Sequence, residues 1–425
     1  MYIRIQAKAL PWWCTMAAIF LYRLGKAMSG VTAPWAVLEM GGKANDLGAT
    51  AVALTVTSVI GFILGGRWTD RQGPRQVLWM SGISGGLLMT IASVVSSQHA
   101  YFAFAAIALL VMTNLVDAPI LMAQESRLPE LSRMARIVIQ RTVVAKTAAS
   151  HLGLVLGPVL AGAVLTHLSM PVCLGLIAGC LLTATLVAAP VYPNGKPRRS
   201  TSEAADSEQN WGPLLRRLYS NGSLRTAILF CALLAGCAAS ANSVVIPALL
   251  QSSDSGALQF GSLISALGAG TLTGTMLTGM LSRFPSIRVA FVAAYSAHAV
   301  MWLVIASQPS LAVSLTIAFF TGVAGSLMPL AIGIEIYKQV PLAMRGRSLG
   351  IYSAILMIAA VATIAIGTAT VQTIGAIQTL LALAFVATFS ALVSLKCIGH
   401  QHTSTRLIDE QNGKNPPTTW NKSSS

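Results

Sequence analysis

Six charged side chains interrupt otherwise apolar stretches of this sequence: Arg23, Lys26, Asp117, Arg141, Lys146 and Glu335. A charge held away from water is costly, so such a position marks an ion or substrate pathway by default. A carboxylate that meets first one face of a barrier and then the other can carry a proton across. Asp117 is the first candidate for that role and Glu335 the second. Arg23 lies 11 residues into its apolar run, roughly 16 Å along a helix rising 1.5 Å per residue. Lys26 follows three residues later and shares its helical face. Lys146, Ser150, Gly153 and Gly157 fall on one stripe at helical spacing. Arg141 lies nearer the end of its run, where a long side chain can snorkel to water.

Other chemistries find little support. The six cysteines include no C-x-x-C pair and no metal spacing with a histidine, so inert apolar packing is expected of them and no metal. His151 and His298 lack a metal-ligand partner one turn on. No Ser/His/Asp arrangement stands out, and no phosphate-cradling loop is present, so neither an enzyme nor ATP drive nor any cofactor is expected.

The elements that must hold these charges follow from composition. Of 425 residues, 54% are hydrophobic and 10% charged, against about 25% charged in soluble domains. Mean hydropathy is +0.69. A membrane span needs about 20 mostly apolar residues. Twelve runs qualify, at roughly 12–38, 47–67, 76–97, 101–123, 139–166, 171–190, 225–250, 258–282, 288–306, 311–336, 347–371 and 375–396. Backbone polar groups in lipid must be satisfied internally, so each is expected to be a helix.

The loops test this count. With the N-terminus placed in the cytoplasm, 23 of the 28 Lys and Arg residues fall in cytoplasmic segments, and one, Lys43, falls outside. One missed crossing would invert every later loop, so the count and the positive-inside bias support each other. The same bias explains the net charge of +15 without a nucleic-acid partner. The sequence thus predicts an N-terminal six-helix bundle over 1–190 and a C-terminal one over 224–397. A polar cytoplasmic linker at 191–223 joins them, and a disordered cytoplasmic tail occupies 398–425. The landmarks Gly66 and Arg75 recur as Gly279 and Arg288, both offset by 213 residues. Transporters built from two repeats show such internal symmetry.

Two motifs carry more. Gly66-Arg67-Trp68-Thr69-Asp70-Arg71-Gln72-Gly73-Pro74-Arg75 resembles the G-x-x-x-D-R-x-G-R-R loop between helices two and three of the major facilitator superfamily. Pro74 departs from the usual basic residue there. Gly153-Leu154-Val155-Leu156-Gly157-Pro158-Val159-Leu160-Ala161-Gly162 resembles the span-five signature carried mostly by that family's exporting antiporters. Small residues four apart let helices approach, and proline bends the chain. Weaker echoes of bacterial siderophore, macrolide and drug exporters lie at Arg23 to Trp35 and at Arg345 to Gly350.

The resemblance implies an all-α fold of two tilting six-helix bundles around a central cavity lined by helices one, four, seven and ten. It implies a gate formed by Gly66, Asp70, Arg71, Gly73 and Arg75, and helix packing through Gly153, Gly157, Pro158 and Gly162. Arg23, Lys26, Lys146 and Trp35 are then expected to bind a small-molecule substrate, and Asp117 and Glu335 to couple it to protons. Basic residues outnumber the deep acid, so an anionic substrate is expected. Family members with an acid in helix one differ from this chain, whose Glu39 lies at the outer end. The implied protein is a monomeric, multi-pass exporter of a siderophore, antibiotic-like compound or drug in a bacterial inner membrane, with both termini cytoplasmic. An importer of an organic anion and a non-transporting receptor or enzyme are the alternatives.

Overall fold

A computed structural model describes residues 2–98, 103–126, 128–191, 222–280, 286–339 and 345–412. The described secondary structure is helical. Helices α1 (Tyr2–Glu39), α2 (Ala44–Gln72), α3 (Pro74–Gln98) and α4 (Ala103–Ser126) are followed by a short amphipathic α5 (Leu128–Ala135). Helices α6 (Ile139–His167) and α7 (Met170–Ala188) complete the first bundle. The second opens with α8 (Gly222–Ser240), a π-helical turn (Ala241–Val245) and α9 (Ile246–Leu250), which together make one crossing. It continues through α10 (Gly256–Met280), α11 (Ile287–Ala306), α12 (Leu311–Gly325), α13 (Leu327–Gln339), α14 (Arg345–Ile374) and α15 (Ala376–Asn412).

Among the described residues ten segments are long and apolar enough to cross a membrane, and Phe104–Ile120 of α4 is a shorter apolar stretch. Helix α1 is 38 residues long and carries Arg23 and Lys26 within its apolar run. Counting α1 and α4 with the ten is consistent with twelve crossings. The expected linker lies almost wholly outside the described residues. Helix α15 runs to Asn412, past residue 398, where a disordered tail is expected. The physical reason is local: between Gly399 and Gly413 the sequence contains neither glycine nor proline, so nothing there stops a helix.

Glycines decide which helices touch. A methyl group on Gly153 would sit 2.8 Å from the Phe20 carbonyl and the Arg23 Cβ, and one on Gly157 would sit 2.7 Å from the Leu24 carbonyl. These two glycines therefore let α6 lie directly on α1. Gly157→Val is expected to cost about 1–3 kcal/mol through overpacking. A fall in the thermal unfolding midpoint of detergent-solubilised protein checks this.

Helix α4 meets α2 in a related way. Pro119 has no N–H to offer the Leu115 carbonyl one turn back. Gly61 of α2 packs over that carbonyl, and Gly65 packs over Pro119 itself. This close seam fixes the rotation of α4, and with it the direction in which Asn114 and Asp117 point.

The bundle has two distinguishable ends. One carries Arg71, Arg75, Arg133 and Arg136 and is the basic end. The other carries the α1–α2 and α6–α7 turns and is the neutral end. The two halves meet closely at the neutral end. Gly162 of α6 faces the backbone of Ala257 and Leu258, Gly261 of α10 packs against the Pro158 carbonyl, and Gly48 of α2 packs against Thr368 of α14. The Val159 N–H donates to Ser265 Oγ at 3.0 Å across the seam. Trp35 stacks on Phe260 with ring centroids 6.0 Å apart. Val37, Leu38, Leu47, Ala51, Val244 and Ile364 form an apolar plug drawn from both halves.

Candidate functional site

The site begins with Lys26. Its Nζ donates to Asp117 Oδ1 at 3.0 Å and Oδ2 at 3.2 Å, and also to Asn114 Oδ1. Asp117 is buried, whereas the Lys26 side chain keeps 29% of its surface exposed. Asn114 lies one helical turn before Asp117, so both point to α1 from one face of α4. The amide of Asn114 is itself held. It donates to the Leu54 carbonyl at 2.6 Å, Ser58 Oγ at 2.7 Å and Thr57 Oγ1 at 3.2 Å on α2. The Tyr22 hydroxyl donates to the Asp117 carbonyl at 3.1 Å. Three helices thus converge on one ion pair. Desolvation makes such a pair costly to separate once formed.

Next to it lies a cavity of about 300 Å³. Lys26, Ser29 and Pro34 of α1, Thr50, Thr55 and Ser58 of α2, Asn114 of α4, Ser243 of the π turn and Met357 of α14 line it. This is the lower end of the range seen for small-molecule sites. Asp117 is not on its wall and faces a much smaller void shared with Lys26 and Asn114. Lys26 therefore stands between Asp117 and the cavity.

The other expected site residues fall elsewhere. Arg23 points to α6, half-buried, beside Gly153, and Lys146 lies half-buried on α6. Trp35 belongs to the neutral-end seal rather than the cavity wall. Glu335 is half-buried on α13 and does not line the cavity. Helix α2 ends at Gly73, whose φ of +90° few other residues adopt and whose N–H caps the Thr69 carbonyl at 2.9 Å. Arg71 is exposed and Arg75 half-buried. The surroundings of Gly66 and the side chain of Asp70 lie outside what the structure describes. Among the described residues no cluster of His, Cys, Asp and Glu could hold a metal ion.

Sequence reading missed Asn114, Ser58, Tyr22 and Ser243. Asn114 could have been found, because a buried amide one turn from a buried acid marks a polar face. The others carry no local signal.

Comparison with known proteins agrees with this architecture. The family model described as Major Facilitator Superfamily matches residues 15–328. The chain is 25% identical over 334 residues to the multidrug efflux pump Tap of Mycolicibacterium fortuitum, covering 77% of this chain and 81% of that one. Among solved structures it resembles the nucleoside transporter NupG, with a TM-score of 0.71 at 14% identity, over 92% of this chain and 99% of that one. It also resembles a D-xylose–proton symporter, with a TM-score of 0.68 at 13% identity, over 92% and 97% of the two chains. At such identities these structures speak for the fold alone.

Proposed function

The chain belongs to the Major Facilitator Superfamily, and from that premise we propose that it exports a small organic solute in exchange for protons by alternating access. The observation that carries this reading is the Lys26–Asp117 pair beside the central cavity. As a carboxylate, Asp117 holds Lys26. Once protonated, it holds Lys26 less tightly and the wall of the cavity changes charge. A group that both titrates and gates the substrate wall is what proton coupling requires. The efflux direction draws on the relative described as a multidrug efflux pump and on the span-five glycine–proline motif. A secreted metabolite or antibiotic-like compound is the class of cargo we infer.

In this reading the basic end and both termini face the cytoplasm of a bacterial inner membrane, an orientation that the positive-inside bias of the loops supports. The neutral-end seal then closes the outward path. In this reading the α2–α3 turn, with Asp70, Arg71, Gly73 and Arg75, latches the cytoplasmic ends of the halves during the opposite state. Glu335 on α13 is the second proton candidate.

A second reading has its own support. An organic anion drawn to Lys26 would leave Asp117 free to take a proton, so anion and proton would bind together and move together. That is uptake by symport. One experiment separates the two. Purified protein is reconstituted in liposomes loaded at acid pH and diluted into neutral buffer, with ethidium as probe. Export by exchange predicts accumulation of ethidium that stops when nigericin collapses the gradient. Accumulation of a permanently charged anion such as benzenesulfonate only when the outside is acid, absent from protein-free liposomes and with no ethidium movement, would overturn the exchange reading in favour of symport.

A further inference from the structure

A second cavity, of about 170 Å³, lies at the neutral end of the first bundle. Four helices end or begin at its wall. Glu39 and Met40 come from the close of α1, Ser96 from the close of α3, Ile107 and Leu110 from the opening turns of α4, and Met170 from the start of α7. It shares no wall residue with the central cavity. Trp35, Val37 and Leu38 of α1 join the seal between the halves, whereas Glu39 and Met40 border this cavity. The cavity therefore belongs to one half and not to the path between the two.

Among the described residues Glu39 is the one charged side chain on this wall, and its carboxylate makes neither ion pair nor hydrogen bond. Lys43, four residues on, is not paired with it and does not line the cavity. A carboxylate only accepts hydrogen bonds, so the group that completes it is a cation. The Ser96 hydroxyl donates to the Ser93 carbonyl at 2.9 Å and leaves only lone pairs to the cavity. The remaining wall side chains are aliphatic or thioether. One carboxylate and one hydroxyl fall short of the roughly six to eight oxygens that a calcium ion takes. An organic cation suits both parts of the wall, its charge meeting Glu39 and its carbon body meeting Ile107 and Leu110. The thioethers of Met40 and Met170 are unbranched and polarizable, so they adapt to irregular shapes. A volume of 170 Å³ is below the roughly 300 Å³ at which drug-sized sites begin. It fits a small ammonium, or the cationic arm of a larger molecule.

We infer that the Glu39 cavity is a binding site for organic ammonium ions at the outer end of the first bundle, separate from the central cavity. The inference needs neither proton exchange nor a direction of transport. A labelling experiment in detergent, with no gradient present, therefore tests it apart from the export reading. Met40→Cys places a thiol on the cavity wall, and its rate of reaction with a maleimide is measured above that of the parent protein. Benzyltrimethylammonium is expected to slow this reaction, and benzenesulfonate, an anion of similar bulk, is expected to leave it unchanged. Adding Glu39→Gln is expected to raise the half-protecting concentration of the cation about fivefold, the upper end for a partly exposed charge pair. Adding Ala106→Leu instead fills the cavity while keeping the carboxylate, and is expected to abolish protection. Absence of protection by the cation, or equal protection by the anion, overturns the inference. So does protection that is unchanged in Glu39→Gln or in Ala106→Leu. Should Ala106→Leu not fold, the exposed position of Glu39 keeps Glu39→Gln available, and that variant decides alone.

Discussion

Asp117→Asn is expected to abolish gradient-driven transport while leaving gradient-free exchange of substrate measurable. The variant keeps the shape of the side chain and removes both the titratable proton and the counter-charge. Lys26 then retains Asn114 as an acceptor but loses two charge-assisted hydrogen bonds. Breaking a fully buried pair costs about 3–5 kcal/mol. The Lys26 side chain is 29% exposed, so solvent in the cavity lowers the stability loss below that range. The double variant Lys26→Gln/Asp117→Asn is expected to recover most of the lost stability and none of the coupling, because the unpaired charge is gone and the proton site is still absent. Thermal unfolding in detergent reads the first effect. Flux into acid-loaded liposomes, compared with exchange between equal pools of solute, reads the second. Wild-type gradient-driven flux in Asp117→Asn would remove Asp117 from the coupling role.

Gly261→Val is expected to push the halves apart at the neutral end and stop turnover. Gly261 packs so closely on the Pro158 carbonyl that any added carbon overlaps it. The contact joins α10 to α6, which belong to different halves. Overpacking inside one half can be relieved only by local distortion. Overpacking here is relieved when the halves tilt away from each other, which is the motion of the transport cycle. The strain of about 1–3 kcal/mol expected for an added side chain thus becomes a shift of roughly 5- to 150-fold in the conformational equilibrium. Spin labels on Asn45 and Thr373, near the Gly48–Thr368 contact, would report a longer distance in the variant. Gly153→Ala is the control. It strains the α1–α6 contact within one half and is expected to lower stability without changing that distance. An unchanged label distance in Gly261→Val would mean that the neutral-end contact does not set the conformational state.

Much of the fold was legible in the sequence because its signals are local. Twenty-residue apolar runs, the alternation of basic and neutral loops and the glycine–proline spacing of span five each survive without knowledge of neighbours. Lys26 and Asp117 were legible as buried charges for the same reason: a charge in an apolar run is conspicuous in one dimension. Gly73 was legible as part of the loop between helices two and three, and its positive φ is a conformation that glycine adopts at no steric cost.

Which charges pair was not legible. Arg23 and Lys26 lie one turn apart on one helix, yet Lys26 meets Asp117 and Arg23 turns to α6. That choice depends on the rotation of α4, set by Gly61 and Gly65 against Pro119, and on the approach of α6, set by Gly153 and Gly157. Trp35, conspicuous as a cavity aromatic in the sequence, is placed in the seal by its stack on Phe260, a residue of the other half. Hydropathy and spacing determined that this chain builds a bundle of apolar helices with a few deep charges. Only the packing of helix on helix decided which of those charges meet and face the cavity, because a rotation of one helix by a single residue, about 100°, redirects every side chain that it carries.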